Sequence, residues 1–212
     1  MDLGEVVNRF EMNELFNRPV DPYRGAPSDE VDALWESIAD IGIVLISGED
    51  VHRLGKDPAK TVKAPKHWGY GENIHLAQID GQHRLHCLNV LRKWAHYDHY
   101  FRPTYGDDAG LLQNSHRDHC LVLLLHSLTC QPSLDVITHN WVDTQPYPVP
   151  DFNMNRKCKN HDKIMDWQSH NRITMEQWDE IAEMERPEGD FIFPLWPELV
   201  ELNRQNGVNR TE

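Results

Sequence analysis

Two short words hold the residues best suited to chemistry. His83-Arg84-Leu85-His86-Cys87-Leu88 and His116-Arg117-Asp118-His119-Cys120-Leu121 agree at five of six positions and begin 33 residues apart, the echo expected of two elements presenting equivalent groups about a pseudo-two-fold axis. Each helical residue advances about 100°, so His83 and His86 stand roughly 60° apart and Cys87 roughly 40° from His83. All three share one face, which continues through Val90, Trp94 and Tyr97 as an apolar stripe. The histidines therefore point inward, toward a partner helix. The second word repeats the pattern with His116, His119, Cys120 and Leu123. Four imidazoles buried together without ligation leave donors and acceptors unsatisfied, and they repel one another once protonated. A metal ion relieves both problems, and two inward pairs on facing helices can build its site in a bundle. His83, His86, His116 and His119 are accordingly the candidate metal ligands and catalytic centre, in a set suited to copper, zinc, iron or nickel.

Zinc hydrolysis fits less well. Its helical word needs a glutamate between two histidines four residues apart, and Arg84 with Leu85 fill the gap here. Asp118 reads as a helix cap or, alternatively, as a hydrogen-bond partner that orients an imidazole. His126, seven residues after His119 and near the same face, is the other candidate for supporting the ligands from behind. The four cysteines, Cys87, Cys120, Cys130 and Cys158, leave two readings open. They are thiolate ligands, or they form disulfides, with Cys87–Cys120 stapling the two helices and Cys130–Cys158 as the second bridge. The disulfide is favoured, because an enzyme working with O2 would expose free thiols to its own oxidant. His96 falls about 220° around the wheel from His83, and the pair His96 and His99 is expected to face solvent. His52, His67, His75, His139, His161 and His170 are expected at the surface or satisfied in the core.

The elements that must position these words can be traced along the chain. Residues 1–27 read as an irregular lead-in. Ser28 caps a helix to about Asp40 whose apolar positions Val31, Leu34 and Ile38 share a face. Ile43–Ile46 is an extended segment, Glu49–Gly55 a helical turn, 57–71 a loop, and Ile74–Ile79 a strand. The first histidine helix runs from Gly81 or Gln82 to about Phe101, residues 102–114 form a loop, and the second helix, Ser115–Cys130, is capped at Asn114 or Ser115. After Pro132 the chain turns Pro-rich, and Met175–Arg186 is a last helix. The expected fold is mainly α: a central pair of metal-bearing helices with long irregular loops and few short strands, in one domain over 28–203 followed by a flexible tail, 204–212.

Composition narrows the partners. The 212 residues carry 34 acidic against 21 basic side chains, a net charge of −13, which argues against nucleic acid and anionic membrane surfaces. No apolar run approaches the ~20 residues of a bilayer span, and the first residues lack a signal-peptide pattern. The chain is therefore soluble in its own right or lies downstream of a removed anchor. A homo- or hetero-dimer is compatible with the sequence, though no motif requires one.

The paired words resemble the signature of the fungal UstYa-like oxidases of secondary metabolism. The likeness runs from Tyr23-Arg24-Gly25-Ala26-Pro27-Ser28 and Trp35-Glu36 to about Trp167. It takes in His86-Cys87-Leu88-Asn89-Val90-Leu91-Arg92, the second word, Cys130 with Asp135, Trp141, Pro150-Asp151-Phe152 and Cys158. It departs after Cys120, where the family usually has an acid followed by Arg-Gln and this chain has Val122, Leu125 and His126. The resemblance implies copper, ahead of iron or zinc, with O2 as co-substrate. It implies oxidative cyclisation, desaturation or hydroxylation of a peptide or other natural-product intermediate, and, where an N-terminal anchor is present, placement in a secretory lumen. The alternatives are a non-redox, metal-assisted cyclase and a non-enzymatic subunit with a structural zinc site.

Overall fold

The computed structural model describes residues 3–10, 21–194 and 196–205. In chain order the strands are β1 Glu5–Phe10, β2 Val44–Ser47, β3 Ile74–Ala77, β4 Thr138–Asn140, β5 Val149–Asp151 and β6 Met154–Lys159. The helices are α1 Asp29–Ala39, α2 Gly48–Arg53, α3 Asp80–Ala95, α4 Tyr97–Tyr100, α5 Arg102–Tyr105, α6 Gly110–Cys130, α7 His161–Asn171, α8 Met175–Glu183 and α9 Pro197–Gln205. The fold is mainly α, and every sheet has only two strands. Among the described residues no helix is long and apolar enough to cross a membrane.

The chain forms two compact units. The first comprises residues 1–44 and 78–172 and contains both histidine words; the second comprises 45–77 and 173–212. In the first unit α3 packs against α6 on one side and α1 on another. Ser28 caps α1 as expected, its hydroxyl accepting from the Val31 amide. The Trp35 indole donates to the Tyr23 carbonyl at 3.0 Å and meets the Tyr23 ring edge-on, which ties the preceding turn to the helix. Much of the interior is polar. Gln82 and Gln168 are each only 1 % exposed. Gln82 donates to the Ile38 carbonyl at 3.1 Å and Gln168 to the Asp40 carbonyl at 2.9 Å. With its amide NH2 turned to Ile38, Gln82 presents its oxygen to His161 Nε2 at 3.0 Å, so that nitrogen is the donor. These bonds satisfy the end of α1 and lock the first turn of α3, which delivers His83, to α7.

Several boundaries differ from the sequence reading. The lead-in is not irregular throughout: Glu5–Phe10 forms β1, paired antiparallel with β6 from Glu5↔Lys159 to Phe10↔Met154. Local pattern could not reveal a strand whose partner lies about 150 residues away. Of the remaining lead-in, residues 1–2 and 11–20 lie outside the described set. The first histidine helix stops at Ala95, where His96 leaves helical geometry at φ −113°, ψ 46°. The 102–114 loop contains α5, with proline in its first turn and Gly106 at φ +69° beyond its end, the usual start and stop residues. The second histidine helix begins at Gly110, five residues early. Asp108 sets its start by accepting from the Gly110 amide and the Asn114 side chain. Ser115 and Asp118 therefore lie inside α6, and the capping role of Asp118 is corrected. α9 reaches Gln205, two residues into the expected tail, and 206–212 lie outside the described residues.

In the second unit β2 pairs with β3, and the Ser47–Asp50 capping box starts α2. Gly48 has no room for a side chain: a Cβ there would lie 2.3 Å from Asn73 Nδ2. His75 is fully buried and satisfied by Thr61 Oγ1 at 2.8 Å and Asn73 Oδ1 at 3.1 Å.

Candidate metal centre

The four histidines of the repeated words form one cluster. His83 lies 5.7 Å from His119 and His86 lies 5.6 Å from His116, ring centre to ring centre; along α3, His83 and His86 are 6.2 Å apart. First pairs with last and last with first, so α3 and α6 run antiparallel and each imidazole has one neighbour on its own helix and one across. Both cysteines of the words lie fully buried beneath this cluster. Cys87 Sγ is 4.0 Å from His83 Nε2. Ligand atoms of His83, Cys87 and His119 all lie within 4.8 Å of one another, close enough to share an ion after small side-chain adjustments. All four cysteines stand as free thiols, with Cys130 exposed. Burial and the adjacent Cys87 push the Cys120 thiol up to about 12.

The electrostatics suit neutral imidazoles. Burial, then His116, His83 and Lys93, lowers the His86 pKa; burial, then His119 and His83, lowers that of His116. His75, in the other unit, is lowered by burial and by Lys63. Neutral rings keep a lone pair available to a metal. Depressed folded-state values also mean that the unfolded chain takes up protons first as pH falls below about 6.5, so stability is lost with acidification in that window. The melting temperature of the metal-free protein is expected to be flat above pH ~7 and to fall steadily from about 6.5 to about 5. A melting temperature that rises on acidification over the same range would contradict this.

Two cavities flank the cluster. One of about 590 Å³ opens on His86 between α1 and α3, and one of about 430 Å³ opens on His119 and is lined also by Arg84, Leu123, His126 and Cys130. His126 is exposed in the second cavity. Asp118 is exposed and paired with Arg117 at 2.7 Å; among the described residues it bonds to no imidazole. Arg117 in turn lies over the Trp94 ring, which stacks with Tyr97 and Phe101 beyond the histidines. His96 and His99 face solvent as expected. His161 is satisfied by Gln82, and His67 pairs with Glu180 at 2.7 Å.

The sequence reading missed the surroundings of His86. Asn89, three residues further along α3 and 8 % exposed, lines the larger cavity with Glu36, Asp40 and Lys93. The i,i+3 spacing from His86 was the available signal for Asn89. The α1 residues depend on tertiary packing and had none.

Comparison with known proteins agrees with the extent of this architecture. The sequence model of a family described as "Mycotoxin biosynthesis protein UstYa" matches residues 4–171. The chain is 36 % identical over 177 residues, 81 % of its length, to the UstYa family oxidase aprY of Aspergillus flavus, of which that region is 52 %. It is 28 % identical over 175 residues, 80 % of its length, to the UstYa family oxidase phomYc of Diaporthe leptostromiformis, covering 66 % of that protein. The chain thus spans about half to two thirds of these relatives. No solved structure matches it. A family match that takes in β1, both histidine words and α7, together with 36 % identity across four fifths of the chain, makes this protein a member of the UstYa family.

Proposed function

We propose that this chain is a copper-dependent oxidase of fungal secondary metabolism, using O2 to cyclise, desaturate or hydroxylate a peptide or other natural-product intermediate. The observation that carries the proposal is the crossed pairing of His83 with His119 and His86 with His116, at 5.7 and 5.6 Å between ring centres. Relatives named as oxidases support the reaction class. The donor set fits a redox-active transition metal: clustered imidazoles, with His86 and His116 held below their usual pKa by burial and by their neighbours. Copper, held there by His83, His86, His116 and His119, would supply one-electron chemistry with O2. The protein's own contribution is to bring the four rings together and favour the neutral form of His86 and His116, to fix α3 through Gln82, and to present a cavity beside His86.

Cys87 has two fates with different consequences. As a thiol it can join His83 and His119 as a ligand. Joined to Cys120, with two protons and two electrons lost to an oxidant such as O2, it leaves an all-histidine set and staples α3 to α6. We propose the disulfide for the working enzyme, with Cys130–Cys158 as the second bridge; thiol counting under denaturing conditions tests both.

The deciding experiment loads the purified chain with copper or zinc and measures retained metal, the copper EPR spectrum and O2 uptake with a candidate peptide. Retained copper with nitrogen hyperfine structure, and turnover that stops without O2, supports the oxidase. Turnover that continues anaerobically would instead identify a metal-assisted cyclase. Tight stoichiometric zinc with no open position would identify a structural site.

A further inference from the structure

The 590 Å³ cavity beside His86 is lined by Glu36 and Asp40 of α1 and by His86, Asn89, Val90 and Lys93 of α3, among others. Its size lies within the usual range for sites that hold a small ligand. Asn89 is the fixed polar group in its wall. Arg92 Nε donates to Asn89 Oδ1 at 2.8 Å, and a guanidinium can only donate. The amide is therefore oriented without ambiguity: its oxygen faces Arg92, and its NH2 faces away with no partner among the described residues. Arg92 is itself immobilised. It bonds Asp32 at 2.5 Å and the Tyr100 hydroxyl at 2.9 Å, and lies over the rings of Trp35 and Tyr100. One buried clamp thus fixes the side-chain amide of a residue that lines a cavity shared with a cluster histidine.

The charges in the wall select the acceptor. Lys93 is engaged by Glu36 at 3.4 Å, and Asp40 is paired with Arg172. Among the described residues that line the cavity no cation stands unpaired, and the chain as a whole carries −13, so in the metal-free protein a carboxylate would enter without a counter-charge. An uncharged amide suits the wall better, its carbonyl accepting from Asn89 and its N–H donating to Glu36.

We infer that this cavity is a substrate pocket for peptide-like ligands, in which the Asn89 side-chain NH2 donates to an uncharged amide carbonyl and holds it beside His86. The inference takes its meaning from the reading of the histidines as a reaction centre, but its test does not depend on that reading. The probe is N-acetyl-alanyl-tyrosine amide, titrated at millimolar concentration into metal-free protein carrying ¹⁵N-labelled asparagine, alongside the same dipeptide with a free C-terminal carboxylate. The expected result is a shift of the Asn89 NH2 resonances by the amide probe and weaker binding of the carboxylate form. Asn89→Asp keeps the oxygen toward Arg92 and replaces the donor with a second oxygen, so it should weaken the amide probe about tenfold or more. Absence of binding, binding that leaves the Asn89 resonances unmoved, equal affinity in Asn89→Asp, or tighter binding of the carboxylate form would each overturn the inference. Should Asn89→Asp fail to fold, the wild-type resonance shift decides alone. Probe binding that persists in a protein unable to retain copper would count against the metal centre and leave the pocket standing.

Discussion

Replacing His83 and His119 together by alanine is expected to abolish copper retention and lower turnover at least about a hundredfold. The magnitude follows from a lesser perturbation: removing only the outer partners of metal-ligating histidines costs about 10–100-fold in affinity or activity, and this double variant removes two imidazoles themselves. The apoprotein should survive the change. His83 is only half-buried and His119 is exposed, so the metal-free melting temperature should change little. A parallel change of the exposed His96 and His99 should leave metal content and turnover untouched. Full copper content and wild-type turnover in the His83→Ala/His119→Ala protein would end the assignment of this cluster.

The second large effect concerns stability. Arg92→Met keeps much of the side-chain volume but removes the guanidinium, leaving the Asp32 carboxylate without its charge partner and Asn89 Oδ1 without its donor, while the Tyr100 hydroxyl keeps its bond to Asp32. Burial pushes the Asp32 carboxyl up, yet hydrogen bonds from Tyr100 and Arg92 and the charge of Arg92 outweigh it and hold it below its ordinary range. Breaking one side of such a pair costs about 3–5 kcal/mol when fully buried. With side chains 9 % and 23 % exposed, a loss near 3 kcal/mol is expected here, or roughly 6–12 °C in melting temperature. Asp32→Asn in the same background should recover part of it, because the stranded charge goes with the partner. A melting temperature within a degree or two of wild type would show that the clamp contributes little.

The extent to which the site was legible in the sequence follows from how local its causes are. The histidine words were readable because helical spacing alone fixes which side chains share a face, and α1 because Ser28 and its apolar positions are adjacent in sequence. The start of α6 was misplaced because Asn114–Ser115 resembles a cap, while the helix begins at Gly110 behind Ala109 with no side-chain cap, where Asp108 accepts from the Gly110 amide and the Asn114 side chain. β1 was missed because its hydrogen bonds go to β6 at the far end of the unit. The wall of the His86 cavity was missed for the same kind of reason. Glu36 and Asp40 reach it only through the packing of α1 on α3, and the orientation of Asn89 depends on Arg92, Asp32 and Tyr100 together.

The separate openings at His86 and His119 bear on kinetics. A bulky organic reactant seated beside His86 leaves the His119 side unobstructed, so a small diatomic reactant need not precede it. Initial-rate patterns for two such reactants should then be those of random addition, with neither acting as a compulsory first binder.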